Sequence, residues 1–188
     1  MSSSPPYWFW KNNLNLKQIK KINKFILKNY DCLEDDKFKA KDNNNNLKKH
    51  NKTLIINFLK IKKFINFLIE NCYRINKTNF GYKLWEYNNF DCNYNIYNSL
   101  KKDNYDWHID SSNDPYSDLK LTILINLSEK NFEGGDFYLD YGNPFKVNEL
   151  KEIGSMIMFK SNIKHMVTPV TSGERKNLAI FLTGPNFV

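Results

Sequence analysis

Two of the three histidines in this 188-residue chain stand in a pattern that suits metal chemistry. His108 lies in the run Tyr105-Asp106-Trp107-His108-Ile109-Asp110; His165 follows far downstream, and Arg175 comes shortly after it. His-x-Asp with a later His is the sequence form of a two-His-one-carboxylate site, which suits Fe(II) and leaves coordination positions open for substrate and oxygen. Residues one apart along a strand point the same way, with Cα atoms ~6.6–7 Å apart. From there an imidazole and a carboxylate can converge on one ion at roughly 2.0–2.2 Å. On this reading Ile109 points into the core, and His165 comes from across the barrel. An arginine fork matches a carboxylate in a bidentate way that lysine cannot. Arg175 therefore stands out in a chain that uses Lys almost everywhere else. The competing reading of His-x-Asp alone is a pair of ordinary polar residues in a β protein.

Such side chains need strands to carry them. From Tyr82 onward, short β-rich runs alternate with turn residues, as in a sandwich or barrel. Strands are predicted at 82–87, 105–109, 120–127, 136–139, 155–159, 165–169 and 177–182. Glu133-Gly134-Gly135-Asp136 and Thr171-Ser172-Gly173-Glu174 are turn signals. Within 119–127, Leu121, Ile123, Ile125 and Leu127 share an apolar face, and Thr122, Leu124 and Asn126 share a mixed one. The apolar face is expected under helices and the mixed face in a pocket. Upstream, 14–30 reads as an amphipathic helix through Leu16, Ile19, Ile22 and Ile26. Residues 35–52 are polar and Asn-rich, a loop or insertion with no core of its own. Thr53 is placed to cap a second helix running to about Ile75. The expected organisation is helical support over 1–80 and a β core over 81–188, in one compact domain.

Composition bounds the partners. A hydrophobic fraction of 41% with 15% aromatics can fill a core. The net charge of +8 would suit nucleic acid. The lysines are scattered, however, with no interleaved aromatic motif, so the charge reads as compositional and nucleic acid is not favoured. Cys32, Cys72 and Cys92 are odd in number and show no C-x-x-C spacing, which points to free thiols in a reducing compartment. No charged leader precedes an apolar run and no apolar stretch is of spanning length, so a cytoplasmic protein without a membrane is expected. The Asn-x-Ser/Thr matches at Asn51, Asn76 and Asn126 read as accidents of an Asn-rich chain.

The runs YDWHID, LKLTILINLSEKNFEGGDFYL, GSMIMF and KHMVTPVTSGERKNLAIFLTGP appear in this order through the C-terminal half. In that combination the segment 82–183 resembles the core of the Fe(II)- and 2-oxoglutarate-dependent dioxygenases. It is most similar to the prolyl 4-hydroxylase-like branch, in particular its small bacterial and viral hydroxylases. The resemblance implies a mainly β fold with N-terminal helices around a double-stranded β-helix, a jelly-roll or cupin-like core. It implies His108, Asp110 and His165 as iron ligands and Arg175 as the partner of the distal carboxylate of 2-oxoglutarate. Collagen-type members carry Lys at that place, so Arg175 is a departure seen in other members. Tyr105 matches a tyrosine of the cosubstrate pocket, with a solvated rim position as its alternative. Asn126 matches a polar residue near that pocket, and Phe181 an aromatic of the cavity wall or plain core. Tyr87 is a further candidate for the same space, whereas His50 and Arg74 are assigned no part. The implied reaction consumes 2-oxoglutarate and O2, with ascorbate as a reductant, releases succinate and CO2, and hydroxylates an unactivated C–H bond. A peptidyl proline in a protein or peptide is the implied substrate. A free amino acid or other small molecule, oxidative demethylation of nucleic acid, and a non-catalytic metal-binding jelly-roll module are the alternatives. The polar loop 111–118 is expected to close over the substrate.

Overall fold

A computed structural model describes residues 6–30, 48–86, 91–110 and 117–186. The strands are β1 (Tyr7–Trp10), β2 (Lys49–His50), β3 (Lys52–Asn57), β4 (Asp91–Asn98), β5 (Asn104–His108), β6 (Ser117–Asn126), β7 (Glu133–Gly134), β8 (Phe137–Asp140), β9 (Pro144–Lys146), β10 (Met156–Lys160), β11 (Lys164–Val167), β12 (Val170–Ser172) and β13 (Glu174–Pro185). The helices are α1 (Leu16–Asn29) and α2 (Phe58–Ile75). A six-stranded antiparallel sheet runs β1-β10-β6-β13-β4-β3, and a five-stranded one runs β2-β5-β11-β8-β9. Strands β12 and β7 form a separate short pair. This is the mainly β jelly-roll architecture with N-terminal helices that the sequence implies.

Alternation along the strands of the larger sheet sorts its side chains into two cores. Leu121, Ile123 and Ile125 of β6, Leu178, Ile180 and Leu182 of β13, and Cys92, Tyr94 and Ile96 of β4 pack against the helices. Leu124, Ile157 and Ala179 point the other way, against Phe137, Leu139 and Val167 of the smaller sheet. The expected parity of 119–127 therefore holds: the apolar face lies under α1 and α2, and Thr122 and Leu124 face a cavity between the sheets. Each aliphatic side chain fully buried in this way stabilises the fold by roughly 1.5–3 kcal/mol.

Helix α1 starts at a capping box in which the Asn15 side chain accepts from Gln18 N, and Gln18 returns the bond to Asn15 N. It lays Ile19, Ile22 and Ile26 on the sheet. Asn23, buried on the same face, donates to Leu127 O and Glu129 Oε1 and accepts from Tyr94 Oη at 2.9 Å. These bonds fix the helix to the sheet at one register.

Four expectations change. The second helix starts at Phe58, capped by Asn57 rather than Thr53. Residues 53–57 belong to β3, where Leu54 and Ile56 are buried beside β4. Aliphatic and β-branched residues with alternating burial suit a pleated, half-buried strand. No strand forms over 82–86; the strand of that region is β4, whose Asn-rich sequence disguised it. The N-terminal region is more than helical support, since it also supplies β1, β2 and β3 to the two sheets. Residues 48–52, expected in the polar insertion, contain β2 and the start of β3, while 35–47 lie outside the described residues.

Candidate active site

Strands β5 and β11 are antiparallel neighbours in the smaller sheet, and His108 stands directly opposite His165. His165 therefore comes from the adjacent strand rather than from across the barrel. Asp110 lies just past the end of β5, where the chain is no longer paired. Ile109 between the two does not enter the core, since 53% of it is exposed. One ligand atom from each of His108, Asp110 and His165 lies within 4.8 Å of the other two. His108 Nε2 is 3.8 Å from Asp110 Oδ1, and His165 Nε2 is 3.5 Å from Asp110 Oδ2.

Each of these side chains is held from behind. His108 Nδ1 meets Asp106 O at 2.7 Å, and His165 Nδ1 meets Ile163 O at 2.9 Å. A carbonyl only accepts, so each Nδ1 carries the proton and each Nε2 presents its lone pair to the shared centre. Thr122 Oγ1 donates to Asp110 Oδ2 at 2.7 Å and lies 2.9 Å from Ser161 Oγ. The Tyr105 ring stacks on His108 with centroids 3.4 Å apart. Burial first, then the neighbouring His165, pushes the His108 imidazole down to about 2, which keeps it neutral. Two neutral imidazoles and a carboxylate are a fitting donor set for a divalent first-row metal.

The cavity in front of these residues, counted to its open mouth, holds about 460 Å³. Arg175, only 3% exposed, lies at its wall on β13. Its Nη1 donates to Asn177 Oδ1 at 2.9 Å, and its Cζ is 5.1 Å from the Tyr97 ring. Burial lowers the guanidinium pKa, and Tyr97 partly offsets this. Burial likewise pushes the Tyr97 hydroxyl up to about 12, against the pull of Arg175. No carboxylate among the described residues forms an ion pair with Arg175. Asp136, the acid that acts on it from a distance, is taken by Lys146 at 2.8 Å and Lys151 at 3.3 Å. A buried guanidinium without a counter-ion is a strong receptor for one. Gly135 makes room for it: at φ +57°, a Cβ there would meet Arg175 Cδ at 3.0 Å and Val170 Cγ2 at 2.9 Å.

Tyr105 and Phe181 line the cavity. Asn126 does not. It continues the face of Thr122 and Leu124, but beyond the cavity, and its amide is fully used. Nδ2 donates to Leu150 O, Lys151 O and Glu152 O, and Oδ1 accepts from Ser128 N. Asn177, its partner across the β6–β13 ladder, does line the cavity, as do Asn93 and Asn95. Sequence reasoning also missed Tyr97 and Lys49, and it placed Thr122 on the pocket face without seeing its bond to Asp110. Alternation along β4 would have found Tyr97 once that strand was recognised. Lys49 sat in a stretch read as polar insertion. The Asp106 side chain is exposed and only its backbone carbonyl serves the site, and His50 lies on the surface. Tyr87 and residues 111–116 of the expected closing loop lie outside the described residues. No helix among the described residues is long and apolar enough to cross a membrane.

Comparison with known proteins bears on this geometry. A PKHD-type hydroxylase from Alteromonas mediterranea is 35% identical over 80 residues, 38% of this chain and 34% of that protein; the match thus spans about a third of the relative. The viral collagen prolyl hydroxylase of Paramecium bursaria Chlorella virus-1, solved with 2-oxoglutarate, superposes with a TM-score of 0.67 at 16% identity, covering 96% of this chain and 97% of that one. A prolyl-4-hydroxylase from Pseudomonas putida does so with a TM-score of 0.66 at 14% identity, covering 96% and 94%. At such identities the structures establish the fold. The profile of the 2OG-Fe(II) oxygenase superfamily matches residues 92–183, the stretch that carries His108, Asp110, His165 and Arg175. Over this stretch, just under half of the chain, it is similar to the 2OG-Fe(II) oxygenase superfamily, and the His108, Asp110 and His165 cluster fits the iron which that name implies.

Proposed function

We propose that this chain hydroxylates an unactivated C–H bond on a peptide, with peptidyl proline as the first candidate, and that His108, Asp110 and His165 hold its iron. The observation that carries this reading is the meeting of two oriented imidazoles and one carboxylate beside a buried, uncompensated Arg175. When bound, Fe(II) with 2-oxoglutarate and O2 supplies the oxidation, releasing succinate and CO2.

The protein's share is positioning. Asp106 O and Ile163 O fix the imidazole tautomers, and Thr122 aims the Asp110 carboxylate. Arg175, with Tyr97 and Asn177 around it, takes the distal carboxylate of the cosubstrate, so that its keto acid end reaches the metal. Phe137, Val167, Ala179 and Phe181 give the cavity apolar walls that exclude water. Support for a peptide substrate comes from the collagen prolyl hydroxylase whose fold the chain shares. The test is incubation with Fe(II), ascorbate, 2-oxoglutarate and proline-rich peptides. Succinate release and a single added oxygen on proline are the expected results; no succinate under any condition would leave a metal-binding module.

A further inference from the structure

The cavity holds a second buried cation besides Arg175. Lys49, on β2, lines the same space as the three candidate ligands and is only 9% exposed. It is fixed by its strand, since β2 pairs with β5 and sets Lys49 opposite Tyr105. Its Nζ lies 5.2 Å from the centroid of the Tyr105 ring. That ring offers a quadrupole but no hydrogen-bond acceptor, so the three N–H bonds of the ammonium stay unanswered by it. Among the described residues Lys49 has this ring as its contact, and Asp110 acts on it through charge alone, without a hydrogen bond. Tyr105 in turn stacks on His108, which places Lys49 at the metal end of the cavity. Burial lowers its pKa to about 8, and Asp110 opposes the change.

A diacid cosubstrate accounts for one cation. Its distal carboxylate satisfies Arg175 and its keto acid end goes to the metal, leaving Lys49 for another group. A buried ammonium without an acceptor is costly to keep unless something anionic arrives. Asn93 lines the same wall, next to Asn95, on the face of β4 that turns into the cavity. One ammonium with one amide suits a monoanion. A phosphate, with close to two charges, calls for several donors such as an arginine fork or a helix N-terminus.

We propose that Lys49 is the recognition residue for a carboxylate on the prime substrate, so that the chain selects an acidic substrate: a peptide with Asp, Glu or a free C-terminus near the oxidised carbon. This rests on the dioxygenase reading of the cavity and narrows it from any proline-containing peptide to an acid-bearing one.

Two measurements on the full chain test it. In the first, matched peptide pools differ only in carrying Asp, Glu and a C-terminal carboxylate, or Asn, Gln and a C-terminal amide. With Fe(II), 2-oxoglutarate and O2, wild type is expected to oxidise the acidic pool at least tenfold faster. Lys49→Met should bring that ratio to about one, and Lys49→Arg should keep most of it. The 2-oxoglutarate concentration that half-saturates uncoupled succinate release should stay within twofold in Lys49→Met. A ratio near one in wild type, or one unchanged in Lys49→Met, overturns the proposal. A tenfold rise in the 2-oxoglutarate requirement also overturns it and assigns Lys49 to the cosubstrate.

The second measurement needs no turnover. In protein labelled with 15N-lysine, with Zn(II) in place of iron and saturating 2-oxoglutarate, the Lys49 ammonium is the side-chain resonance absent from Lys49→Met. N-acetyl-Pro-Asp-amide should move it, and N-acetyl-Pro-Asn-amide should not. No movement, or equal movement with both, overturns the proposal. Failure of the dioxygenase reading shows separately, as absent succinate in wild type, while the resonance still reports on acid against amide.

Discussion

The imidazoles of His108 and His165 face each other across the β5–β11 ladder with ring centroids 4.0 Å apart, and the Asp110 carboxylate closes the third side. The separations of 3.5 and 3.8 Å from their Nε2 atoms to the carboxylate are long for hydrogen bonds. They fit two bonds of roughly 2.0–2.2 Å meeting at one centre. Two hydrogen-bonded backbone carbonyls hold the rings in place before any metal arrives.

Thr122 tests that pre-organisation. Thr122→Val keeps the shape but removes the 2.7 Å hydrogen bond to Asp110. Loss of an outer partner of this kind costs about 10–100-fold in metal affinity. Titration of the metal-free protein with Fe(II) or Zn(II) should show that loss, alongside a destabilisation of about 1–3 kcal/mol because the buried Ser161 hydroxyl loses its partner as well.

Arg175→Lys should raise the KM for 2-oxoglutarate about tenfold or more while retaining some turnover. Lysine keeps the charge but loses the planar fork, a difference of the order of 1.5–3 kcal/mol for a charged hydrogen bond. Succinate release as a function of 2-oxoglutarate measures it.

Gly135→Ala should act on the same parameter from a residue that never touches the cosubstrate. An alanine at φ +57° is strained, and its Cβ meets the Arg175 stem. We expect destabilisation of about 1–3 kcal/mol and a higher 2-oxoglutarate KM. A change in stability alone would make the glycine purely structural.

Lys49 should leave its mark on stability as well as on specificity. Its pKa is about 8 in the fold against 10.5 in a free side chain. Between those values the unfolded chain binds more protons, so this group makes stability rise with pH. Below pH 8 both states hold the proton, and the penalty of burying the charge is fully present. Lys49→Met should therefore stabilise the metal-free protein at pH 7. That advantage should shrink by about 2–3 kcal/mol on approaching pH 10.5, at 1.36 kcal/mol per unit. Denaturant midpoints of the two proteins across that range give the comparison, because all other titrating groups are shared.

Much of this site could be read before the fold was known. His-x-Asp, a later His and a following Arg are the chemistry itself, and their residue types name it. The parity of Leu121, Ile123 and Ile125 against Thr122 and Leu124 gave the two faces of β6 because apolar residues on one side leave little choice. What escaped depends on pairing that a single sequence does not display. His165 could be seen as a ligand but not as the neighbour of His108, since strand order is not local. Strand β4 hid because Asn93 and Asn95, poor strand formers, occupy cavity positions in it. Lys49 looked like one more surface lysine until the β2–β5 pairing carried it inside. Asn126 had the right face and the wrong distance along it.

The central claim is that His108, Asp110 and His165 hold one ferrous ion with 2-oxoglutarate beside it. Anaerobic addition of 2-oxoglutarate to the Fe(II)-loaded protein tests it most directly. The account predicts a visible charge-transfer band in wild type that is absent in His108→Ala. An Fe(II)-loaded wild type with no band, or a band that survives in His108→Ala, would contradict it.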